Sequence, residues 1–240
     1  MQTLISLSIL GYEKDLRKQR DEDAQSKVVN KITSLINSGL ICNLHIDVMR
    51  SSLIPYKIAF PIETIKRIYD NYNKKISFDL HLMVANPILC INKMNDFIQP
   101  NIMSQTLVII QYEAYLQENK VINALQTLHT LGYKAGIGLD LPTPVEKLTK
   151  EIVDKSDLVF LMAVPMGKGG QKYDESATEK IRHVYKAFPR KVIEVDGGIN
   201  DKTIKYAKDA GAKILVIGSY ITNNIEPLDV LDKISKILKG

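Results

Sequence analysis

Short apolar runs bounded by turn residues alternate along this chain with stretches whose apolar residues recur at helical spacing. The runs over 4–9, 40–49, 77–84, 106–112, 134–139, 157–164, 191–195 and 212–218 read as β-strands. Between the first two, Val28, Val29, Ile32, Leu35 and Ile36 share one face of a helix over 26–38 that stops at Gly39. Further helices are expected over 61–72, from Pro87 onward, and over 119–131, 144–153, 175–188, 201–210 and 227–238; Pro61, Pro87 and Pro144 stand at permitted first-turn positions. Strand followed by helix, repeated eight times, implies a parallel sheet. Eight units in one chain favour a closed (β/α)8 barrel over an open doubly wound sheet, and the pattern shows no linker, so 1–240 reads as one domain.

Some of these strands carry polar residues where a barrel needs packing. In Leu44-His45-Ile46-Asp47-Val48-Met49 the alternation puts His45, Asp47 and Met49 on one face, and Leu44, Ile46 and Val48 on the other. An imidazole and a carboxylate buried side by side are costly unless hydrogen-bonded, paired or metal-bound. His81 near the end of the third strand and Asp196 at the end of the seventh repeat the anomaly. Barrel enzymes do their chemistry at C-terminal strand ends, where all four residues fall. Two imidazoles and two carboxylates suit zinc, iron(II), manganese or cobalt. Such an ion polarises a carbonyl, and two carboxylates from different strands serve as base and acid. Each residue alone reads equally well as a satisfied core polar group; four together at strand ends point to a site. Asp79, on the same face as His81, is either a supporting partner or core filling.

Glycines form a second constellation: Gly167-Lys168-Gly169-Gly170, Gly197-Gly198 after Asp196, and Gly218-Ser219. Glycine lets backbone N–H groups approach a phosphate, and loops after the seventh and eighth strands are a recurrent phosphate site in this architecture. A single Gly-Gly reads as a turn; three loops converging on one rim do not. Met49, Met83, Met162 and Met166 lie near strand ends, where they either line the site or fill the core.

Composition narrows the class. The chain is 45% hydrophobic and 25% charged with net charge +5, and its lysines are spread along helices. This suits anionic small substrates; without a basic stripe interleaved with aromatics, nucleic acid is not expected as a partner. No apolar run spans a bilayer, so no membrane partner is expected. Cys42 and Cys90 lack metal-clip spacing and read as reduced core residues of a cytoplasmic protein, while a homo-oligomer is left open.

The motifs also resemble a known family. Ser8-Ile9-Leu10, His45-Ile46-Asp47-Val48-Met49, Pro55, Asp79-Leu80-His81-Leu82-Met83-Val84, Glu113-Ala114, Gly167 with Gly169-Gly170-Gln171, Glu194-Val195-Asp196-Gly197-Gly198-Ile199 and Gly218-Ser219 are similar in order and spacing to ribulose-phosphate 3-epimerases. The resemblance implies a TIM barrel of the ribulose-phosphate-binding type and a metal-dependent isomerase interconverting D-ribulose 5-phosphate and D-xylulose 5-phosphate in the pentose phosphate pathway. It implies His45, Asp47, His81 and Asp196 as ligands of a divalent metal. Asp47 is then the base at C3 and Asp196 the acid on the opposite face. Ser8 and His81 match substrate contacts, Met49 a residue lining the metal site, and Gly167, Gly169, Gly170, Gly197, Gly198, Gly218 and Ser219 the phosphate cradle, with Lys168 among them.

The departures lie in the loops. Arg50-Ser51-Ser52-Leu53-Ile54 replaces the usual Asp-Gly-His-Phe-Val before Pro55; Gly11-Tyr12, Pro165-Met166, Lys168, Gln111 (for a His) and Asp140 are also unusual. They predict that Arg50 and Lys168 bring positive charge to the mouth and contact a different sugar phosphate or a second anionic group. The alternatives are therefore an epimerase of another ketose phosphate, such as a hexulose 6-phosphate, or a non-catalytic phosphate-binding relative. A decarboxylase of the orotidine-phosphate type would need an Asp-x-Lys-x-x-Asp arrangement, and Asp47-Val48-Met49-Arg50-Ser51-Ser52 lacks both the Lys and the second Asp.

Overall fold

A computed structural model describes residues 2–18 and 26–239. Its eight strands close into a parallel barrel in sequence order, with β8 paired back to β1. The strands are β1 (Leu4–Ser8), β2 (Asn43–Met49), β3 (Ser77–Met83), β4 (Leu107–Gln111), β5 (Lys134–Leu139), β6 (Leu158–Met162), β7 (Val192–Asp196) and β8 (Ile214–Ile217). Outside them run α1 (Glu13–Lys18), α2 (Lys27–Asn37), α3 (Ile62–Tyr72), α4 (Pro87–Asn92), α5 (Pro100–Met103), α6 (Glu118–Thr130), α7 (Lys150–Lys155), α8 (Ser176–Ala187), α9 (Ile204–Ala210), α10 (Ser219–Thr222) and α11 (Pro227–Lys239). The expected (β/α)8 architecture is thus present; β5 matches its expected run, β7 is shifted by one residue, and the other strands lose one to three residues at an end.

Four elements depart from the expected pattern. Helices α1, α5 and α10 were not foreseen; each is six residues or shorter, too short to display a period. The expected helix over 144–153 splits into a 3-10 turn, Val145–Lys147, and α7, because Leu148 leaves helical geometry at ψ 75° and the Thr149 hydroxyl restarts the helix by accepting from Ile152 N at 3.3 Å. Ser26 caps α2 in the same way.

The apolar residues divide into two bodies. The larger lies between barrel and helices, where Leu7, Leu44, Ile46, Val48, Leu80 and Leu82 face Ile32, Leu35, Ile65 and Ile68. The smaller fills one side of the lumen, from Leu107 and Ile109 through Leu158, Phe160 and Met162 to Val216. The other side of the lumen is polar: Ser6, Ser8, His45, Asp47, Asp79, His81, Gln111 and Glu194 are all buried. β5 contributes bare positions there, since a Cβ on Gly136 would sit 3.0 Å from Ile109 and one on Gly138 2.6 Å from Gln111 Oε1. The neighbouring strands occupy the space β5 leaves.

Candidate active site and metal centre

Register brings the four polar strand-end residues together. His45 pairs with Asp79, and Asp47 with His81, across β2 and β3. One ligand atom from each of His45, Asp47, His81 and Asp196 can be chosen such that all lie within 4.8 Å of one another. Asp47 is the hub. Its Oδ2 accepts from Ser8 Oγ at 2.9 Å; its Oδ1 lies 3.2 Å from His81 Nδ1 and 3.3 Å from His45 Nε2. Phe160 packs against both imidazoles, stacked on His45 at 5.5 Å and tilted to His81 at 4.5 Å between ring centroids.

The electrostatics favour opposite states for the two carboxylates. Burial opposes ionisation of Asp47, but the imidazoles of His45 and His81 outweigh it and hold the carboxyl below its usual range. Asp196 is raised to about 7, first by burial and then by the Asp47 charge. Burial alone would lower His45, yet Asp47, Glu194 and Asp196 together raise it to about 10. Burial keeps His81 below its ordinary value despite Asp47. Beneath them, Asp79 and Glu194 are pushed up by burial and face His45 from the inner side, with His45 Nδ1 3.9 Å from Glu194 Oε1. Asp79 also accepts from Ser6 Oγ at 2.9 Å and Asn43 Nδ2 at 3.0 Å.

The residues fit a divalent cation. His45 is wholly buried, and beyond its ion-pair approaches to Asp47 and Glu194 neither ring nitrogen has a well-formed hydrogen bond among the described residues. A buried imidazole whose nitrogens make no full hydrogen bond is costly, and a cation beside Asp47 would satisfy Nε2.

Above this cluster opens a cavity of about 660 Å³. Of the four, Asp47 and Asp196 line it, while His45 and His81 are fully buried behind them. Ser8, Met49, Met83 and Met162 line the wall; Met166 does not. Gly167, Lys168, Gly169, Gly170, Gly197, Gly198, Gly218 and Ser219 all reach the cavity, as the converging-loop reading expects. Gly198 shows why glycine is needed: its φ is +66°, and a Cβ would lie 2.1 Å from Tyr173 N. Lys14 and Lys172, not singled out in the sequence, join Lys168 on the exposed part of the lining.

Arg50 corrects an expectation. Its guanidinium does not line the cavity; it donates to the carbonyls of Met49 and Ala59 at 2.7 Å each and of Phe60 at 3.0 Å, tying the loop after β2 to its own base. Asp140 is also structural: its Oδ1 accepts from Leu141 N and Met166 N, both at 2.8 Å, bracing the glycine loop after β6. Lys180 donates to the carbonyls of Asp140, Leu141 and Thr143, and Glu113 Oε1 accepts from Asp140 N at 3.0 Å. Sequence reasoning missed Phe160, which looks like ordinary core, and the support that Glu194 gives to His45; a buried Glu on β7's lumen face was the available signal.

Comparison with known proteins agrees with this geometry. Residues 23–222 match the model of the "Ribulose-phosphate 3 epimerase family". The ribulose-phosphate 3-epimerase of Schizosaccharomyces pombe is 33% identical over 189 residues, covering 78% of each chain. The cytoplasmic isoform from Oryza sativa subsp. japonica is 31% identical over 201 residues, covering 82% of each. In fold alone, the chain resembles 3-hexulose-6-phosphate synthase from Salmonella typhimurium, with TM-score 0.64 at 15% identity over 100% of this chain and 99% of the other. This chain belongs to the ribulose-phosphate 3-epimerase family.

Proposed function

We propose that the protein is a metal-dependent 3-epimerase of a ketose phosphate, converting D-ribulose 5-phosphate to D-xylulose 5-phosphate. The observation that carries this is the pairing of Asp47 and Asp196 on one cavity, the first held ionised and the second with its carboxyl raised to about 7. Asp47 is the base: it accepts the C3 proton of the substrate and becomes a carboxylic acid. The electron pair left behind spreads over C3, C2 and the C2 oxygen as an enediolate. Asp196 is the acid: it returns a proton to the opposite face of C3 and becomes a carboxylate. Net inversion leaves Asp47 protonated and Asp196 ionised, and exchange with solvent restores both. Ser8 Oγ, donating to Asp47 Oδ2, fixes the base in orientation. His45, Asp47, His81 and Asp196 would hold the cation, for which zinc, iron(II), manganese and cobalt all suit the donors. When bound, a divalent ion supplies Lewis-acid stabilisation of the charge that develops on the sugar oxygens. The methionines Met49, Met83 and Met162 keep the reacting carbon in a poorly hydrated wall.

Gly197, Gly198, Gly218 and Ser219, with the Gly167–Gly170 loop, form the cradle for the phosphate, supported by Lys14, Lys168 and Lys172 at the mouth. A cavity of about 660 Å³ with these lysines also favours a longer sugar, so a hexulose 6-phosphate is the second reading. Incubation in D2O with ribulose 5-phosphate tests the proposal. The wild type should form xylulose 5-phosphate with deuterium at C3, and Asp47→Asn should still bind the sugar while exchange stops. Exchange retained in Asp47→Asn removes the base from its role. Turnover of hexulose 6-phosphate in preference to the pentulose selects the second reading.

A further inference from the structure

Gln111 closes β4 and is fully buried. Its Nε2 lies 2.8 Å from Nε2 of His81, while its Oε1 is buried without a partner among the described residues. In this arrangement the amide donates to the ring. The imidazole hydrogen then sits on Nδ1 and points at Asp47 Oδ1, 3.2 Å away. A cation beside Asp47 needs that Nδ1 lone pair. The hydrogen must move to Nε2, which then requires an acceptor. Half a turn of the Gln111 amide provides one, because it exchanges Nε2 for Oε1. A carboxylate at 111 could only accept, and a lysine could only donate; glutamine serves both tautomers.

The room for this turn comes from β5. Gly138 is the register partner of Gln111, and a Cβ there would stand 2.6 Å from Oε1, 2.9 Å from Cδ and 3.3 Å from Nε2. Phe160 bounds His81 on another side. The amide is therefore confined between a bare strand position and the ring it serves.

We propose that Gln111 is the positioning residue of His81, its amide turning over on cation binding to hold the tautomer that offers Nδ1, with Gly138 keeping the space for the turn. This rests on the cation site of the proposed function. The test measures Zn2+ affinity by competition with a chromophoric chelator, alongside 15N spectra of the imidazoles in the zinc-loaded protein. Gln111→Ala should retain the wild-type circular dichroism yet lose about 10–100-fold in zinc affinity, as removal of such supporting partners typically does. Gly138→Ala should lose affinity in the same direction, and Gln111→Glu should recover it, since a carboxylate accepts from Nε2–H. In zinc-loaded wild type, His81 should carry its hydrogen on Nε2. A hydrogen on Nδ1, affinity of Gln111→Ala within about twofold of wild type, or Gln111→Glu falling as far as Gln111→Ala overturns the proposal. A wild type that binds zinc without epimerising pentulose phosphates overturns the epimerase reading and leaves this one standing; a wild type that binds no zinc overturns both.

Discussion

A single side chain does very different work here according to what its polar atoms find. Arg50 stands one residue beyond β2, where a charge looks available to a substrate, but three backbone carbonyls take its donors. Arg50→Met should therefore cost about 1–3 kcal/mol of stability, the penalty of stranding part-buried acceptors, and leave KM unchanged. Denaturant titration beside steady-state kinetics separates the two readouts. Lys168 is the opposite case: exposed, on the cavity lining, with no ion pair among the described residues. Lys168→Gln should raise KM by roughly three- to tenfold with kcat little changed, and the difference should shrink as salt is added. The sequence makes both residues conspicuous but not distinguishable, because the partners of Arg50 are carbonyls up to ten residues away whose direction only the folded loop defines. His45, Asp47, His81 and Asp196 were legible for the contrary reason: their placement as polar residues at the ends of otherwise apolar strands can be read from the sequence directly. Gln111 was visible as an oddity, but its contact with His81 and its dependence on Gly138 needed the register of three strands.

At the level of elements, the strands could be read because a lumen-facing and a helix-facing residue must alternate around a closed sheet. Helices with a full apolar stripe, such as α2 and α3, were equally plain. What escaped was interruption: a proline at 144 announces a helix, yet Thr149 is the residue that caps it. The glycine loop after β6 is held from the neighbouring loop, where Asp140 Oδ1 accepts from Met166 N. Asp140→Ala should free that amide. Hydrogen exchange at Met166 and through Gly167–Gly170 should quicken, and KM for the sugar phosphate should rise several-fold more than kcat falls. Unchanged exchange with unchanged KM would mean the loop is braced from elsewhere.

For the whole molecule, the buried acids and imidazoles link folding to pH. Asp196, at about 7 folded against an ordinary 3.8, stabilises the fold fully below about 3.8 and loses that contribution as pH rises through 7. His45, at about 10 against 6.5, loses its contribution as pH climbs from 6.5 through 10. Asp79 and Glu194, also raised, act in the same sense as Asp196; His81, lowered, opposes them only below about 6.5. In EDTA the melting temperature should therefore fall between pH 6.5 and 9, and the gain on adding a divalent cation should grow over the same interval, because the ion displaces the protons these groups retain. Calorimetry across that range checks the sign. The packing beneath the reaction centre has one more outcome. With Phe160 and the paired acids closing the lumen from below, a sugar arrives and departs through the same glycine-rimmed doorway. The two epimers must therefore take turns there, each a competitive inhibitor of the other's conversion, and a phosphorylated sugar that docks but has no hydrogen to surrender at C3 would act as a stopper.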